Sequence, residues 1–238
     1  MSRFFVPISG INDETIILGR ENANHLTVLR HRIGDEVTVC DGLGMDYLCK
    51  IDSLSKKNAV LSILHKKFCD FEPNFKISLF QALPKSDKME LIIQKCVELG
   101  VFEIIPVETQ NTVMRLKDNS KIERYRKISE SAAKQAGRGI IPHVSNCISF
   151  DEAVSLLSQK DTKLIAYENA DINAKFSLIN INSSEIGIFI GPEGGFADEE
   201  VKKCAENGIK PISLGKRILR TETAAMVAIF TISYSKEC

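Results

Sequence analysis

With 238 residues, 44% hydrophobic and 26% charged, the chain has the composition of a soluble globular protein of one or two domains. No apolar run approaches the ~18 residues of a membrane helix, and no apolar stretch of signal-peptide length precedes Pro7, so a cytoplasmic location without a membrane partner is expected. Lysine plus arginine balance aspartate plus glutamate at 31 each, which excludes a protein held to nucleic acid by bulk charge.

Residues 1–70 carry the signals of a small β-domain. Glu21 to Arg30 is a helix candidate, with Leu26, Leu29 and Ile33 expected on one side. Glu36 to Cys40, Tyr47 to Ile51 and Ala59 to Leu64 are short runs rich in β-branched residues, and Asp41-Gly42-Leu43-Gly44 is a hairpin turn between the first two. The arrangement is expected to be barrel-like. Lys66 to Asn74 is polar, contains Pro73 and is expected to be a linker.

From residue 75 the pattern changes to alternating strands and helices. Lys76 to Leu83 is a strand. Asp87 to Leu99 is a helix, with Met89, Ile92, Ile93, Cys96 and Val97 on one face and Gly100 as its C-terminal stop. Glu103 to Val107 is a strand, and Lys121 to Ala136 a long helix. Asp151 to Leu157 is helical and Lys163 to Tyr167 a strand. Ile186 to Ile190 is a strand, Asp198 to Glu206 a helix capped by Asp198, and Pro211 to Leu214 a strand. Thr221 to Ser233 is the final helix. Near-continuous apolar strands between helices indicate an α/β domain with a mostly parallel sheet covered on both faces. The final helix is apolar nearly all round from Ala224 to Ile232, which points to packing against a second subunit as well as its own core.

The seven cysteines (40, 49, 69, 96, 147, 204 and 238) form no Cys-x-x-Cys pair, so reduced thiols are expected. The four histidines have no metal-ligand spacing, and no metal is expected. Charge is uneven despite the neutral total. Between Met114 and Ile140 eight basic residues (Arg115, Lys117, Lys121, Arg124, Arg126, Lys127, Lys134, Arg138) meet three acids (Asp118, Glu123, Glu130), a local excess of five. At ~100° per residue, Arg124, Lys127, Lys134 and Arg138 fall within about an 80° stripe. Such a stripe is either a solvated face or a surface that tracks phosphates.

Gly191-Pro192-Glu193-Gly194-Gly195-Phe196 follows an apolar strand. It lacks the Gly-Lys-Ser/Thr of a nucleotide-triphosphate loop and the Gly-x-Gly-x-x-Gly of a dinucleotide fold. Its glycines still allow a ligand close to the backbone. Leu214-Gly215-Lys216-Arg217-Ile218-Leu219-Arg220-Thr221-Glu222-Thr223-Ala224-Ala225 is a second glycine-bearing loop, with three cations in five residues, running into a helix. Two such loops at helix starts can form a small-molecule site.

Together these two segments resemble the RsmE family of 16S rRNA uridine-N3 methyltransferases, within the SPOUT superfamily. Arg3-Phe4-Phe5-Val6 and His25 to Arg30 are similar to the family's N-terminal PUA-like domain. Gln81 to Lys85, Lys88 to Glu90, Gln94 to Gly100, Glu123 to Ile128 and Ala133 to Arg138 also fit, and Ala197 departs where Ser or Thr is frequent. The resemblance implies a PUA-like RNA-binding β-domain over 1–70 and a SPOUT methyltransferase domain over 75–238 with a deep trefoil knot. It further implies S-adenosylmethionine as cofactor, 16S rRNA or the small ribosomal subunit as partner, and a homodimer. Carried over by position, Tyr167, Gly191, Glu193, Gly194, Gly195, Leu214, Gly215, Ile218, Leu219, Thr223 and Ala224 are expected around the cofactor. RNA contacts are expected from Arg3, Arg30, Arg32, Lys85 and Lys88, besides the basic stripe. Arg220 is the expected catalytic cation. Arg3 would assist from either subunit, and Glu193 or Glu222 would accept the proton. A SPOUT ribose 2′-O-methyltransferase and a non-catalytic RNA-binding protein are the alternatives.

Overall fold

A computed structural model of the chain describes residues 3–115, 120–170 and 183–237. Lys117 and Asp118 of the basic run, and Cys238, lie outside the described residues. The chain divides into two compact units, 1–72 with 133–141, and 73–132 with 142–238.

The first unit holds β1 (Arg3–Phe5), a 3-10 turn at Ile8–Gly10, β2 (Thr15–Leu18), α1 (Arg20–Val28), β3 (Glu36–Cys40), β4 (Met45–Leu54) and β5 (Ala59–Phe68). Its five strands run in the order β1-β3-β4-β5-β2. Among the described strand pairs of this unit, β1–β3 is parallel and the other three are antiparallel. Alternation decides which side faces in: Ile16 and Leu18 are buried while Ile17 between them is exposed, and Val37 and Val39 are buried on β3. These side chains, with Phe4, Ala23, Leu26, Ile51 and Leu61, make one core. The turn between β3 and β4 forms as expected. Gly42 and Gly44 take positive φ, and the Asp41 carboxylate accepts the N–H groups of Leu43 and Met45 at 2.7 and 3.1 Å.

Several expectations are corrected here. Helix α1 stops at Val28, so Leu29 and Ile33 fall outside it and are exposed; Ala23 and Leu26 face the core instead. Strand β5 continues to Phe68, because its pairing with β4 outweighs the polar composition that marked Lys66 as linker. Residues 133–141 return to this unit. The Gly139 and Ile140 N–H groups donate to one Glu72 oxygen at 2.8 and 3.0 Å, and the Arg138 guanidinium bonds Glu72 at 2.8 Å. A side chain at Gly139 would place Cβ 2.5 Å from that of Cys69, so only glycine passes. Arg138 is therefore a buried ion-pair partner beyond the end of its helix, not the last member of a solvent-facing stripe.

The second unit holds β6 (Lys76–Ala82), α2 (Lys88–Glu98), β7 (Glu103–Glu108), α3 (Ser120–Gln135, its last three residues grouped with the first unit), β8 (His143–Val144), β9 (Ile148–Ser149) and α4 (Phe150–Ser158). It continues with β10 (Thr162–Ala166), β11 (Glu185–Ile190), α5 (Asp198–Glu206), β12 (Lys210–Ile212) and α6 (Thr221–Glu237). The sheet has seven strands in the order β12-β10-β11-β6-β7-β8, with β9 also on β7. Every described pair is parallel. The central strands β6 and β11 are buried from their second residue onward, which explains their unbroken apolar runs. Phe189 anchors one side, edge-on to Phe196 at 4.8 Å and stacked on Phe150 at 5.8 Å.

The helix ends follow local chemistry. Ser149 and Glu152 form a reciprocal capping box on α4. Asp198 does not cap α5; it is the first helical residue and accepts from the Tyr167 hydroxyl at 2.8 Å. Ala197 occupies the cap, and Glu200 reaches back to its N–H at 3.0 Å. Helix α6 buries Ala225, Ala228, Ile229 and Ile232 and leaves Phe230 and Tyr234 53% and 59% exposed. No helix among the described residues is long and apolar enough to cross a membrane. No group of three or more potential metal ligands is found among them. Cys40, Cys49, Cys69, Cys96, Cys147 and Cys204 are free thiols.

Gly187 sets the closeness of α4 to the sheet. A Cβ there would lie 2.2 Å from Leu157 Cδ1. Gly187→Ala is expected to lower stability by about 1–3 kcal/mol through overpacking, read as a lower urea midpoint with an unchanged slope.

Candidate active site

A cavity of about 300 Å³ opens at the carboxyl ends of β10 and β11, with the loop from β12 to α6 as its other wall. Ligands of open parallel sheets bind in this position, where strands stop and loops turn toward helices. The expected residues Tyr167, Gly191, Glu193, Gly195, Leu214, Gly215, Ile218, Leu219, Arg220 and Ala224 all line it. Gly194 and Thr223 stand outside the lining. Glu168 and Thr221, neither expected as a site residue, belong to it.

The glycine loop is fixed from three sides. At its start, the Gly191 carbonyl accepts from Thr221 Oγ1 at 2.7 Å. That hydroxyl in turn accepts from Gln81 Nε2 at 3.0 Å, and Gln81 is fully buried in β6. In the middle, the Glu193 carboxylate accepts from the Lys85 N–H at 3.1 and 3.2 Å and from Lys88 Nζ at 2.9 Å. At its end, Asn111 Nδ2 donates to the carbonyls of Gly194 and Gly195, each at 3.2 Å. Gly195 N–H closes a turn onto the Pro192 carbonyl at 3.0 Å.

Side chains are excluded from this loop by space and by conformation. A Cβ on Gly191 would meet the Phe196 ring at 3.1 Å. Gly195 has φ +67°, and a Cβ on it would lie 2.7 Å from a Glu168 carboxylate oxygen. On the facing wall Gly215 has φ +128°, a region closed to other residues. Both walls therefore present bare backbone to the cavity.

Charge is divided between the walls. Partial burial opposes ionisation of Glu193, but the Lys88 ammonium and the backbone N–H donors outweigh it and hold the carboxyl below the usual range. Glu193 is thus an ionised anchor with its oxygens in use. Glu168 has no described hydrogen bond or ion pair. Lys216, Arg217 and Arg220 are exposed, and among the described residues none forms an ion pair. Arg220 stands at the mouth of the cavity, where its carbonyl accepts the Ala224 N–H at 2.8 Å to start α6. Ile218, 87% exposed, covers the rim with apolar surface.

The remaining expected residues lie elsewhere. Arg3 is held in the first unit by Asp46 at 2.7 Å and Cys69 at 3.2 Å, with only about a tenth of its side chain exposed. Arg30 and Arg32 are exposed after α1. Lys85 is exposed, whereas Lys88 is committed to Glu193. On α3, Lys127 is exposed, Arg124 is exposed but pairs with Glu90 at 2.8 Å, and Lys134 is half-buried. Gln81 was not expected as a site residue, although an amide inside the apolar run from Ile77 to Leu83 is the signal of one: a buried polar side chain needs a partner.

Comparison with known proteins identifies the cavity's setting. An RNA methyltransferase domain model matches residues 71–233, and an RNA methyltransferase PUA domain model matches residues 18–64. Ribosomal RNA small subunit methyltransferase E of Bacillus subtilis is 32% identical over 250 residues, covering 100% of this chain and 98% of that protein. The protein of that name from Mesomycoplasma hyopneumoniae is 35% identical over 230 residues, covering 95% and 96%. Among solved structures, Ribosomal RNA small subunit methyltransferase E from Neisseria gonorrhoeae, bound to S-adenosyl methionine, superposes with a TM-score of 0.90 at 34% identity, covering 99% of this chain and 98% of that one. With a domain model over more than half its length and relatives above 30% identity end to end, the chain belongs to the ribosomal RNA small subunit methyltransferase E family.

Proposed function

We propose that the protein is an S-adenosylmethionine-dependent methyltransferase that modifies N3 of a uridine in 16S rRNA. The observation that carries this reading is a backbone-lined cavity, pinned at the carboxyl ends of a parallel sheet, with the uncommitted guanidinium of Arg220 at its mouth. The cavity fits the cofactor on its own terms. Glycine walls admit the edges of a flat base to backbone donors and acceptors, its volume suits a small ligand, and the free Glu168 carboxylate can accept from hydroxyl or ammonium groups. Tyr167, Gly191, Gly195, Leu214, Gly215, Ile218, Leu219 and Ala224 would hold it, with Gly194 and Thr223 supporting the two loops from behind.

The bound cofactor supplies an electrophilic methyl group. The chain's residues must present the uracil ring to it in line and handle one proton. N3 is an imide nitrogen, protonated at neutral pH, and loss of its proton spreads negative charge onto the flanking carbonyl oxygens. Arg220 is placed to stabilise that charge. Glu193 serves through the loop it anchors, because its oxygens already accept from Lys85 and Lys88. Arg3 in this reading secures β1 through Asp46.

Residues 1–70 act as a PUA-like RNA-binding domain and 75–238 as the SPOUT catalytic domain with its trefoil knot. Phosphates are held by Arg30, Arg32, Lys85, Lys127 and Lys134. The stacked, exposed Phe230 and Tyr234, 5.7 Å apart on α6, favour a homodimer formed through this helix. The protein works in the cytoplasm, where its rRNA partner is.

Nucleoside mass spectrometry of 16S rRNA from a strain lacking the gene should show 3-methyluridine lost and restored by the wild-type gene; 3-methyluridine that persists overturns the assignment, and loss of a 2′-O-methyl nucleoside instead identifies a ribose methyltransferase. Arg220→Ala is expected to lower kcat by about 100-fold or more, while calorimetric affinity for S-adenosylhomocysteine stays within about threefold. Thr221→Val removes the link between Gln81 and Gly191, and should weaken S-adenosylhomocysteine binding by about tenfold as two buried polar groups lose partners.

A further inference from the structure

Lys88 was expected among the RNA contacts, yet its ammonium is engaged by two carboxylates. It lies 2.9 Å from Glu193 Oε1 and 3.5 Å from Glu222 Oε2. The second contact is an ion pair without hydrogen-bond geometry, and that Glu222 oxygen is buried with no hydrogen bond of its own. One lysine is thus the shared counter-charge of two partly buried carboxylates. They come from different pieces of the site: Glu193 from the glycine loop, and Glu222 from the first turn of α6, two residues after Arg220. Lys88 itself starts α2, so a single side chain ties three elements of the second unit together.

The loop before α2 is shaped for this contact. Ser86 has φ +57°, uncommon for a residue with a side chain. On one side of it the Lys85 N–H points at Glu193, and on the other Lys88 reaches the same carboxylate. Without Lys88, Glu193 would keep only backbone N–H donors, that of Lys85 among them, and the largely buried Glu222 carboxylate would lose its cation.

We infer that Lys88 is a positioning residue: it clamps the glycine loop to the start of α6, holding the cofactor wall in place. This rests on the cofactor reading above, and it removes Lys88 from the set that touches RNA.

The test uses the full chain and three titrations: S-adenosylhomocysteine by calorimetry, a 16S rRNA fragment by filter binding over a range of salt, and methyl transfer. Lys88→Met and Glu193→Gln should each weaken S-adenosylhomocysteine binding by about tenfold, and the double variant should be no weaker than the worse single one, as expected for two partners of one interaction. Lys88→Met should leave RNA affinity and its salt dependence unchanged. Its kcat/KM for the cofactor should fall in step with its loss of S-adenosylhomocysteine affinity. Unchanged S-adenosylhomocysteine affinity in Lys88→Met overturns the clamp, as does strict additivity of the two losses. A drop of about one in the salt slope with cofactor binding intact also overturns it and makes Lys88 a phosphate contact. If Lys88→Met does not fold, Glu193→Gln and Lys88→Arg carry the comparison, with Lys88→Arg expected to retain binding better than Glu193→Gln and the reverse order overturning the clamp. Failure of the wild-type protein to bind S-adenosylhomocysteine would instead refute the cofactor reading itself.

Discussion

The Thr221 hydroxyl is the point on which the site depends. It donates to the Gly191 carbonyl and accepts from the buried Gln81 amide, so it joins the glycine loop, the start of α6 and the central strand β6 in one chain of hydrogen bonds. Each partner is in low-dielectric surroundings, where a bond is stronger and its absence more costly than in water. A backbone-lined pocket needs such a constraint. Bare peptide groups recognise a ligand only if they are held at the right separation, and glycines, which permit their exposure, supply no packing to hold them. Rigidity therefore comes from outside the loop, from Thr221, Asn111, Lys85 and Lys88.

The parallel sheet places these anchors. Strands β6 and β11 are neighbours in register, with Gln81 opposite Ile190. The residue after Ile190 is Gly191, so the amide of the central strand sits beside the start of the glycine loop. Thr221 reaches the same place because α6 begins there, and α6 is carried on by packing against α2, where Ser233 Oγ donates to the Leu99 carbonyl at 2.9 Å. The site is thus assembled from strand ends and helix starts, and the apolar runs that make the core also fix where the loops emerge.

How far the sequence could be read follows from this division. The second unit was legible because hydrophobic periodicity is a local property. Helix α2 buries each of the five residues its spacing selects, and Gly100 ends it with φ +97°. The glycine loops stand out in the sequence because each lies between a strand and a helix. What local pattern could not show was pairing across the chain. The two-residue strands β8 and β9 are too short to carry a period. Arg138 looked like the end of a basic stripe because helical spacing was extended past Gly137, whose φ of +73° turns the chain toward Glu72, 66 residues away in sequence. Asp198 looked like a cap by its type, but the geometry of α5 gave that place to Ala197 and a compensating reach to Glu200.

Charge shows the same limit more sharply. A count of basic residues treats every lysine and arginine as available to phosphate, but availability depends on what lies opposite in the fold. Arg3, Arg138 and Lys88 each face a carboxylate at 2.7 to 2.9 Å. Removing such a cation from its partner to serve RNA would leave a buried or half-buried carboxylate uncompensated, at a cost that one exposed phosphate contact does not offset. Arg220, Lys216 and Arg217 face no described carboxylate, and they cluster on the loop that borders the cavity. In a chain of zero net charge, the cations left over after internal pairing are the ones able to act on a ligand, and three of them, Lys216, Arg217 and Arg220, share one wall of the cavity.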